Sequence, residues 1–349
     1  MPHSELNPAF MHRCLDLASQ GRGRVGNGVL VGAVLVREGK IISERFHAAY
    51  GDAHAERALL EGYEGQIHPE DLLYVNLEPC VHHGKTPPCT DIIIQRSVKT
   101  VVYGMQDPDP RVRGKGLEEL QRADVTVIGP FERGLCERMN KGFIQVRRYQ
   151  RPYITLKQAI TSDGKIASAN GSPMKITSTK QDVWAHTFLR ARHDAILVGV
   201  GTIISDNPQL NRRFDQNVIF AHLEGLNETI CNDVISDQPY RIILDPMLNI
   251  PQDAHVVSDA IADRTMLCVT PDAALGNAGK CADLQERGVR ICRIPLEAGH
   301  FDWKLLWESM LTPQKGYAGI TSILVEGGVQ TWEAFRASGF VDEEVTLTG

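Results

Sequence analysis

The sequence predicts an α/β protein built from two domains, and three observations lead to that prediction. The chain has 349 residues, which exceeds the length at which a single hydrophobic core usually stops growing. Strand-like and helix-like segments alternate along it, which is typical of layered α/β domains. The alternation stops in a polar, proline-containing segment at 147–152 and then starts again. We therefore expect domains at residues 1–148 and 152–349.

The elements of the first domain follow from apolar periodicity and from residues that start or break helices. Asn7 and Pro8 precede a segment whose apolar residues recur at near-helical spacing, so a helix is predicted at 9–19. The turn Glu38-Gly39 separates two apolar runs, which predicts paired strands at 29–36 and 40–47. The remaining predicted elements are strands at 72–77, 100–103 and 125–128 and helices at 54–60, 90–96, 116–123 and 132–143.

The second domain repeats the alternation of strands and helices. The predicted strands are 153–159, 195–200, 241–244, 265–269, 289–294 and 322–326. The predicted helices are 179–190, 278–287, 303–311 and 331–337. Segment 214–238 has no regular pattern, and we expect a long loop or an inserted hairpin there.

Composition and charge exclude some classes of function for this protein. The chain is 42% apolar and 23% charged, as is ordinary for a globular protein. It contains no run of about 18 apolar residues, so no membrane span is expected. A formal net charge of −6 argues against a nucleic-acid partner. The eight cysteines are spread along the chain without the profile of a signal peptide, which predicts reduced thiols in the cytoplasm.

Three residues, His54, Cys80 and Cys89, supply the ligand types of a catalytic zinc ion. Two thiolates and one imidazole leave the fourth tetrahedral position for water, which the metal shifts towards hydroxide near neutral pH. Glu56 follows His54 by two residues, a spacing at which side chains on a helix do not share a face. We therefore expect Glu56 to carry protons for that water and not to bind the metal.

Two other interpretations of this motif have to be weighed. The cysteines could be buried apolar residues, the commonest fate of cysteine in an intracellular protein. The zinc could also be purely structural, although structural sites normally close the fourth position. Pro79 and Pro88 precede the two cysteines and stiffen the loop that carries them. The order of the residues together with this proline pattern favours a catalytic zinc site.

The motif resembles the zinc-dependent nucleoside and nucleobase deaminases, in which activated water attacks the ring carbon that bears an amino group. Eight residues lie between Cys80 and Cys89, whereas transfer-RNA and cytidine deaminases typically hold their cysteines two residues apart. With segments 46–56, 78–89 and 104–116, this spacing resembles the family of bifunctional riboflavin-biosynthesis deaminase/reductases. Segments 151–167, 189–213 and 324–328 resemble the reductase half of that family.

The resemblance implies a cytidine-deaminase-like three-layer domain followed by a dihydrofolate-reductase-like α/β domain, with zinc and NADPH as cofactors. In the first domain it implies metal binding by His54, Cys80 and Cys89, catalysis by Glu56, and substrate binding by Asn27, His82 and Lys85. In the second domain it implies cofactor binding by Ile160, Lys175, Thr202, Asp206 and Gly328, and substrate binding by Arg190, Leu210, Arg213 and Glu326.

The glycine and arginine patterns of the second domain agree with a phosphate-bearing ligand. Gly199-x-Gly201 and Gly327-Gly328 each follow an apolar strand, where backbone amides can approach a phosphate closely. Neither is a full dinucleotide fingerprint, and each alone is more often a turn. Arg190 and Arg213 could each hold two phosphate oxygens, with solvated surface arginines as the alternative.

The implied substrate is a phosphorylated pyrimidine, 2,5-diamino-6-(5-phosphoribosylamino)pyrimidin-4-one. Zinc-activated hydroxide would displace its amino group as ammonia, with Glu56 passing the proton. NADPH would then reduce the ribosyl group of the product to ribityl. The resemblance also suggests a homodimer.

Two alternatives stay open on the sequence alone. Lys175 stands where the family usually has tryptophan, so the chain could be a deaminase with a degenerate reductase domain. A nucleic-acid base deaminase with an accessory domain is the second alternative, and the acidic net charge counts against it.

Overall fold

The structure, a computed structural model, describes residues 6–82, 86–162, 176–212 and 238–349. The chain divides into one unit of Met1–Gln150 with Pro313–Gly319 and a second of Arg151–Thr312 with Ile320–Gly349. Three predicted site residues, Lys85, Lys175 and Arg213, lie outside the described residues, as does segment 214–237. Among the described residues, no helix has the length and apolar character needed to cross a membrane.

The described part of the first unit contains one five-stranded sheet with helices. Its strands are Gly32–Arg37 (β1), Lys40–Phe46 (β2), Leu72–Leu77 (β3), Thr100–Met105 (β4) and Thr126–Ile128 (β5). The strand order is β2-β1-β3-β4-β5; β1 is antiparallel to β2 and β3, and the pairs β3–β4 and β4–β5 are parallel. The helices are Pro8–Ser19, Ala55–Gly62, Cys89–Gln95, Lys115–Arg122, Arg133–Met139 and Lys141–Tyr149.

The core of the first unit forms because the central strands are apolar on both faces. Leu35 of β1 pairs in register with Leu73 of β3, and neither side chain is accessible to solvent. Each such leucine contributes about 1.5–3 kcal/mol through burial. The first helix starts where the sequence predicts, because the Asn7 side chain accepts a hydrogen bond from the Ala9 backbone N–H at 3.0 Å.

The prediction of one helix at 132–143 is wrong, because two helices meet at Asn140. The backbone of Asn140 leaves the helical conformation, with φ −104° and ψ 21°. Its buried side chain accepts from the Leu30 backbone N–H at 2.9 Å and donates to the Leu30 carbonyl at 3.0 Å. A pair of buried hydrogen bonds to a distant segment therefore outweighs the continuity of the helix.

The second unit contains a seven-stranded sheet in its described part, and all six neighbouring pairs of strands are parallel. Its strands are Tyr153–Ile160 (β6), Ala195–Gly199 (β7), Tyr240–Leu244 (β8), Thr265–Val269 (β9), Arg290–Arg293 (β10), Ser322–Val325 (β13) and Glu343–Thr348 (β14). The order is β10-β9-β8-β7-β13-β6-β14. A short antiparallel hairpin of Leu296–Glu297 (β11) and His300–Phe301 (β12) stands apart from this sheet.

The helices of the second unit connect these parallel strands. They are Thr179–Trp184, Val200–Asp206, His255–Ser258, Pro271–Gly276, Ala278–Glu286, Trp303–Leu311 and Val329–Ser338, with a π-helical turn at Ala185–Leu189 and a 3₁₀ turn at Ala262–Arg264. Parallel strands deliver their carboxyl ends to one edge of a sheet, where ligands of α/β proteins bind. Ligand sites are therefore expected after β3 and β4 in the first unit and after β7, β8 and β13 in the second.

Candidate active sites

His54, Cys80 and Cys89 form a cluster in the first unit. The Nδ1 atom of His54 lies 3.5 Å from the sulfur of Cys80 and 3.5 Å from that of Cys89. All three ligand atoms lie within 4.8 Å of one another. His54 directly precedes helix Ala55–Gly62 with an extended backbone, Cys80 follows β3, and Cys89 is the first residue of its helix.

The distances and the donor types of this cluster fit a zinc ion. A sulfur and a nitrogen bonded to one tetrahedral zinc at about 2.3 and 2.0 Å lie about 3.5 Å apart, as these atoms do. The Cys89 thiol and then the His54 imidazole hydrogen-bond to the Cys80 sulfur and hold its pKa well below the usual value, against the opposing effect of burial. Cys80 is therefore predisposed to the thiolate form that binds metals. These three residues would hold the ion.

Glu56 lies beside this cluster without being one of its members. Its side chain is on the first turn of helix Ala55–Gly62 and is only 4% exposed. Burial, followed by the nearby charge of Cys80, raises the pKa of Glu56 to about 7. A carboxyl group with such a pKa can both accept and return a proton near neutral pH.

A cleft of about 280 Å³ opens beside the cluster and is lined by His54, Glu56 and Cys80. The predicted substrate residue His82 lines it as well, whereas Asn27 directly precedes the lining residues Gly28 and Val29. The lining also includes three side chains that were not predicted as site residues, Asp107, Phe143 and Arg147. Asp107 lies in a segment that carried the family resemblance, but no sequence signal marked the other two.

The loop that carries Cys80 is held by contacts to the neighbouring elements. The buried Glu78 carboxylate accepts hydrogen bonds from the Gly114 N–H at 2.8 Å and from the Asp107 N–H at 3.2 Å. Gly116, on the first turn of helix Lys115–Arg122, approaches this loop so closely that an added Cβ would lie 1.9 Å from the Pro79 carbonyl oxygen. The position of the metal ligand therefore depends on the close approach of this helix.

Replacing Gly116 with alanine is expected to lower the free energy of unfolding of the first unit by about 1–3 kcal/mol, since the added methyl group would push against backbone. We also expect a lower zinc content, because the Pro79 carbonyl directly precedes Cys80. Urea unfolding and metal analysis would measure both effects. Gly134→Ala is the matched control, because the nearest atom to its added Cβ is a flexible arginine nitrogen at 3.5 Å. Wild-type stability and zinc content in Gly116→Ala would contradict the prediction.

The second unit has a cavity of about 470 Å³ at the carboxyl ends of β7, β8 and β13. Two predicted cofactor residues, Thr202 and Gly328, line it. The N-caps of helices Val200–Asp206 and Val329–Ser338 are the glycines Gly199 and Gly328, so free backbone N–H groups start both helices at the cavity. The hairpin β11–β12 and Trp303 supply further lining side chains. Backbone amides beside an apolar surface fit a phosphate-bearing nucleotide with an aromatic base.

Arg190 and Glu326, predicted as two separate ligand-binding groups, are joined in a buried ion pair. The guanidinium donates to the Glu326 carboxylate through Nε at 3.1 Å and Nη2 at 2.6 Å, and its Nη1 donates to the Asn211 carbonyl at 2.6 Å. The two side chains are 6% and 7% exposed. Burial alone would raise the pKa of Glu326, but the charges of Arg190 and Lys157 together with the hydrogen bonds from Arg190 outweigh it and lower the pKa to about 2. Arg190 is thus already paired and not free to hold a phosphate alone.

Three other predicted residues of the second unit that the structure describes, Ile160, Asp206 and Leu210, do not line this cavity. Asp206 is exposed at the end of its helix, and Ile160 ends β6. The Leu210 side chain is 3% exposed and belongs to a hydrophobic core cluster. A ligand contact by Leu210 would therefore have to use its backbone.

This fold and these two sites define a class of protein in which a metal-dependent deaminase domain is followed by a nucleotide-binding domain. Comparison with known proteins identifies the family within this class. Residues 4–105 match the family model of the cytidine and deoxycytidylate deaminase zinc-binding region, and residues 152–348 match that of the RibD C-terminal domain.

Relatives along the whole chain agree with these matches. The riboflavin biosynthesis protein RibD of Aquifex aeolicus is 36% identical over 347 residues, which cover 98% of this chain and 86% of the relative. RibD of Escherichia coli is 34% identical, covering 96% and 85%. A solved Thermotoga maritima structure, a diaminohydroxyphosphoribosylaminopyrimidine deaminase/5-amino-6-(5-phosphoribosylamino)uracil reductase, is 31% identical with a TM-score of 0.74, covering 97% and 85%.

The chain therefore belongs to the RibD family of riboflavin biosynthesis proteins. It has a deaminase and a reductase domain, with zinc as the cofactor of the first and NADPH as that of the second. The comparisons confirm the predicted family, fold class, enzyme class and cofactors.

Proposed function

We propose that the first unit deaminates 2,5-diamino-6-(5-phosphoribosylamino)pyrimidin-4-one and that the second unit reduces the ribosyl group of the product to ribityl. The observation that carries the proposal is the cluster of His54, Cys80 and Cys89 beside the buried Glu56. The activity named for the Thermotoga maritima relative supports this choice of substrate.

In the deamination, the residues of the cleft hold the substrate and move protons. Bound zinc supplies the positive charge that makes water acidic enough to attack near neutral pH. Glu56 takes one proton from the attacking water and passes it to the ring nitrogen, and then passes the second proton of that water to the amino group, which leaves as ammonia. Because Glu56 is buried, its carboxyl group has little contact with bulk water. Asn27, His82 and Lys85 bind the substrate in this proposal, with Lys85 outside the described residues.

In the reduction, the cavity of the second unit holds the nucleotide cofactor. NADPH, when bound, supplies a hydride for the carbonyl carbon of the open-chain ribose, and a proton completes the alcohol. We assign the cofactor phosphates to the backbone amides around Thr202 and Gly328. The preformed pair of Arg190 and Glu326 orients the substrate as one polar unit.

The remaining assignments in the second unit stay predictions. They are Ile160, Lys175 and Asp206 for the cofactor and Leu210 and Arg213 for the substrate.

One assay tests the proposal as a whole. Zinc-loaded protein is given the diaminopyrimidine ribotide and NADPH, and ammonia release and NADPH absorbance are followed together. We expect ammonia to appear first and NADPH to be consumed after it. Ammonia without NADPH consumption would support the alternative of a deaminase with a degenerate second domain. The absence of both ammonia release and NADPH consumption would contradict the proposal.

Removing zinc with a chelator is expected to abolish ammonia release and to spare NADPH oxidation when the deaminated ribotide is supplied directly. The reason is that His54, Cys80 and Cys89 all belong to the first unit. Both rates are measured before and after chelation, and added zinc should restore deamination. Loss of both activities on chelation would argue against separate sites.

We further propose a homodimer in the cytoplasm. The family resemblance supports the dimer. A reducing compartment agrees with the free thiols of the seven cysteines that the structure describes. Light scattering on the zinc-loaded protein tests the oligomeric state, and a monomer mass would contradict it.

A further inference from the structure

Among its described lining residues, the cleft beside His54, Cys80 and Cys89 has more carboxyl groups than cationic side chains. Four of its described lining residues carry carboxyl groups, namely Asp52, Glu56, Glu78 and Asp107. Arg147 is the one lysine or arginine among the described residues that line it. A phosphorylated substrate brings a further negative charge into this space, where partial exclusion of water strengthens repulsion. The cleft therefore needs a cation wherever the phosphate lies.

Arg147 is held in an orientation suited to that task. It lies on the last turn of helix Lys141–Tyr149, one turn after Phe143, and its guanidinium carbon is 5.0 Å from the centre of the Phe143 ring. Phe143 itself is only 5% exposed, so the ring is a fixed platform. Stacking restrains the guanidinium plane, while its N–H groups point outward from the edges of that plane.

Within the described part of the chain, no carboxylate accepts a hydrogen bond from Arg147. Among the described residues Arg147 forms no ion pair, whereas Arg111 binds Asp109 at 2.6 Å. The acid of the cleft that feels its charge is Asp107, whose pKa is raised by burial in spite of the opposing influence of Arg147. The Asp107 carboxylate instead accepts a hydrogen bond from the Asp109 N–H at 2.8 Å.

We propose that Arg147 binds the phosphate of the substrate in the deaminase cleft and thereby selects ribotides over ribosides. This inference rests on the proposed function for the identity of the pyrimidine. The recognised group is a phosphate monoester, whose oxygens match the paired donors of a guanidinium.

The first test compares the ribotide with the same aminopyrimidine riboside lacking the phosphate. In Arg147→Ala we expect kcat/KM for the ribotide to fall about 10- to 100-fold, the usual loss for a hydrogen bond to a charged group. The fall should lie in KM, because the phosphate is remote from the reacting carbon. The riboside should react as in the wild type. Arg147→Lys keeps the charge without the fork and should be intermediate.

Arg148→Ala is the matched control, since Arg147 and Arg148 are both exposed on the same helix but only Arg147 lines the cleft. It should leave both substrates unaffected. If Arg147 only stabilised the loop of Asp107, its loss would slow ribotide and riboside equally. That result would overturn the proposal.

A binding measurement tests directly whether Arg147 binds a phosphate. It does so even if the wild type releases no ammonia and the proposed function fails. Ribose 5-phosphate is titrated into the zinc-loaded wild type, Arg147→Ala and Arg148→Ala by calorimetry. Any binding in the second unit is common to all three proteins. We expect a binding event that is weakened at least 10-fold in Arg147→Ala alone. Identical titrations of all three proteins would overturn the assignment.

Discussion

Replacing Glu56 with glutamine is expected to slow ammonia release by about 10²- to 10⁴-fold, the usual contribution of a positioned acid–base group. The amide keeps the size and the buried position of the side chain but cannot take a proton from water. The three metal ligands are unchanged, so zinc content should remain at the wild-type level. Steady-state ammonia release and metal analysis of the purified variant measure the two quantities.

Two further variants make this result specific. Glu64→Gln removes an exposed carboxylate shortly after the same helix and should leave the rate unchanged. Cys89→Ala should lose zinc and deamination together, which separates loss of the metal from loss of the proton carrier. NADPH oxidation with supplied deaminated ribotide should be normal in all of them. A Glu56→Gln enzyme with wild-type rate would remove Glu56 from the mechanism.

Of the substitutions considered, one that breaks the ion pair of Arg190 and Glu326 should lower the free energy of unfolding most. Replacing Glu326 with glutamine leaves the Arg190 guanidinium buried without a counter-charge, which typically costs about 3–5 kcal/mol in free energy of unfolding. All four tryptophans, at 184, 303, 307 and 332, belong to the second unit. Tryptophan fluorescence during urea unfolding therefore reports on the unit that contains the pair.

The stabilisation provided by the ion pair of Arg190 and Glu326 should decrease at low pH. The pKa of Glu326 is lowered from 4.5 to about 2, so its stabilisation is complete above about pH 4.5 and is lost as pH falls towards 2. The difference between wild type and Glu326→Gln should shrink over the same interval. Glu344→Gln breaks an exposed pair with Arg336 and should cost less than about 1 kcal/mol. Equal losses in the two variants would contradict the argument.

The sequence by itself determined the parts of this protein that depend on neighbouring residues. The alternation of strands and helices follows from apolar periods of two and 3.6 residues, which are local properties. Asn7 and Pro8 marked the start of the first helix because capping acts over three residues. The cluster of His54, Cys80 and Cys89 was also predictable, since metal binding needs particular residue types and these three come with recognisable neighbours.

Only the tertiary structure decided which distant residues meet. Arg190 and Glu326 are separated by 136 residues, and they pair because β13 lies beside β7 in the sheet. Asn140 divides a predicted helix because Leu30, 110 residues away, takes its hydrogen bonds. Arg147 enters the deaminase cleft through the packing of the last helix of its unit. Such pairings depend on strand order and helix docking, which are set by the free energy of the whole chain. They produce no periodic pattern among neighbouring residues from which they could be predicted.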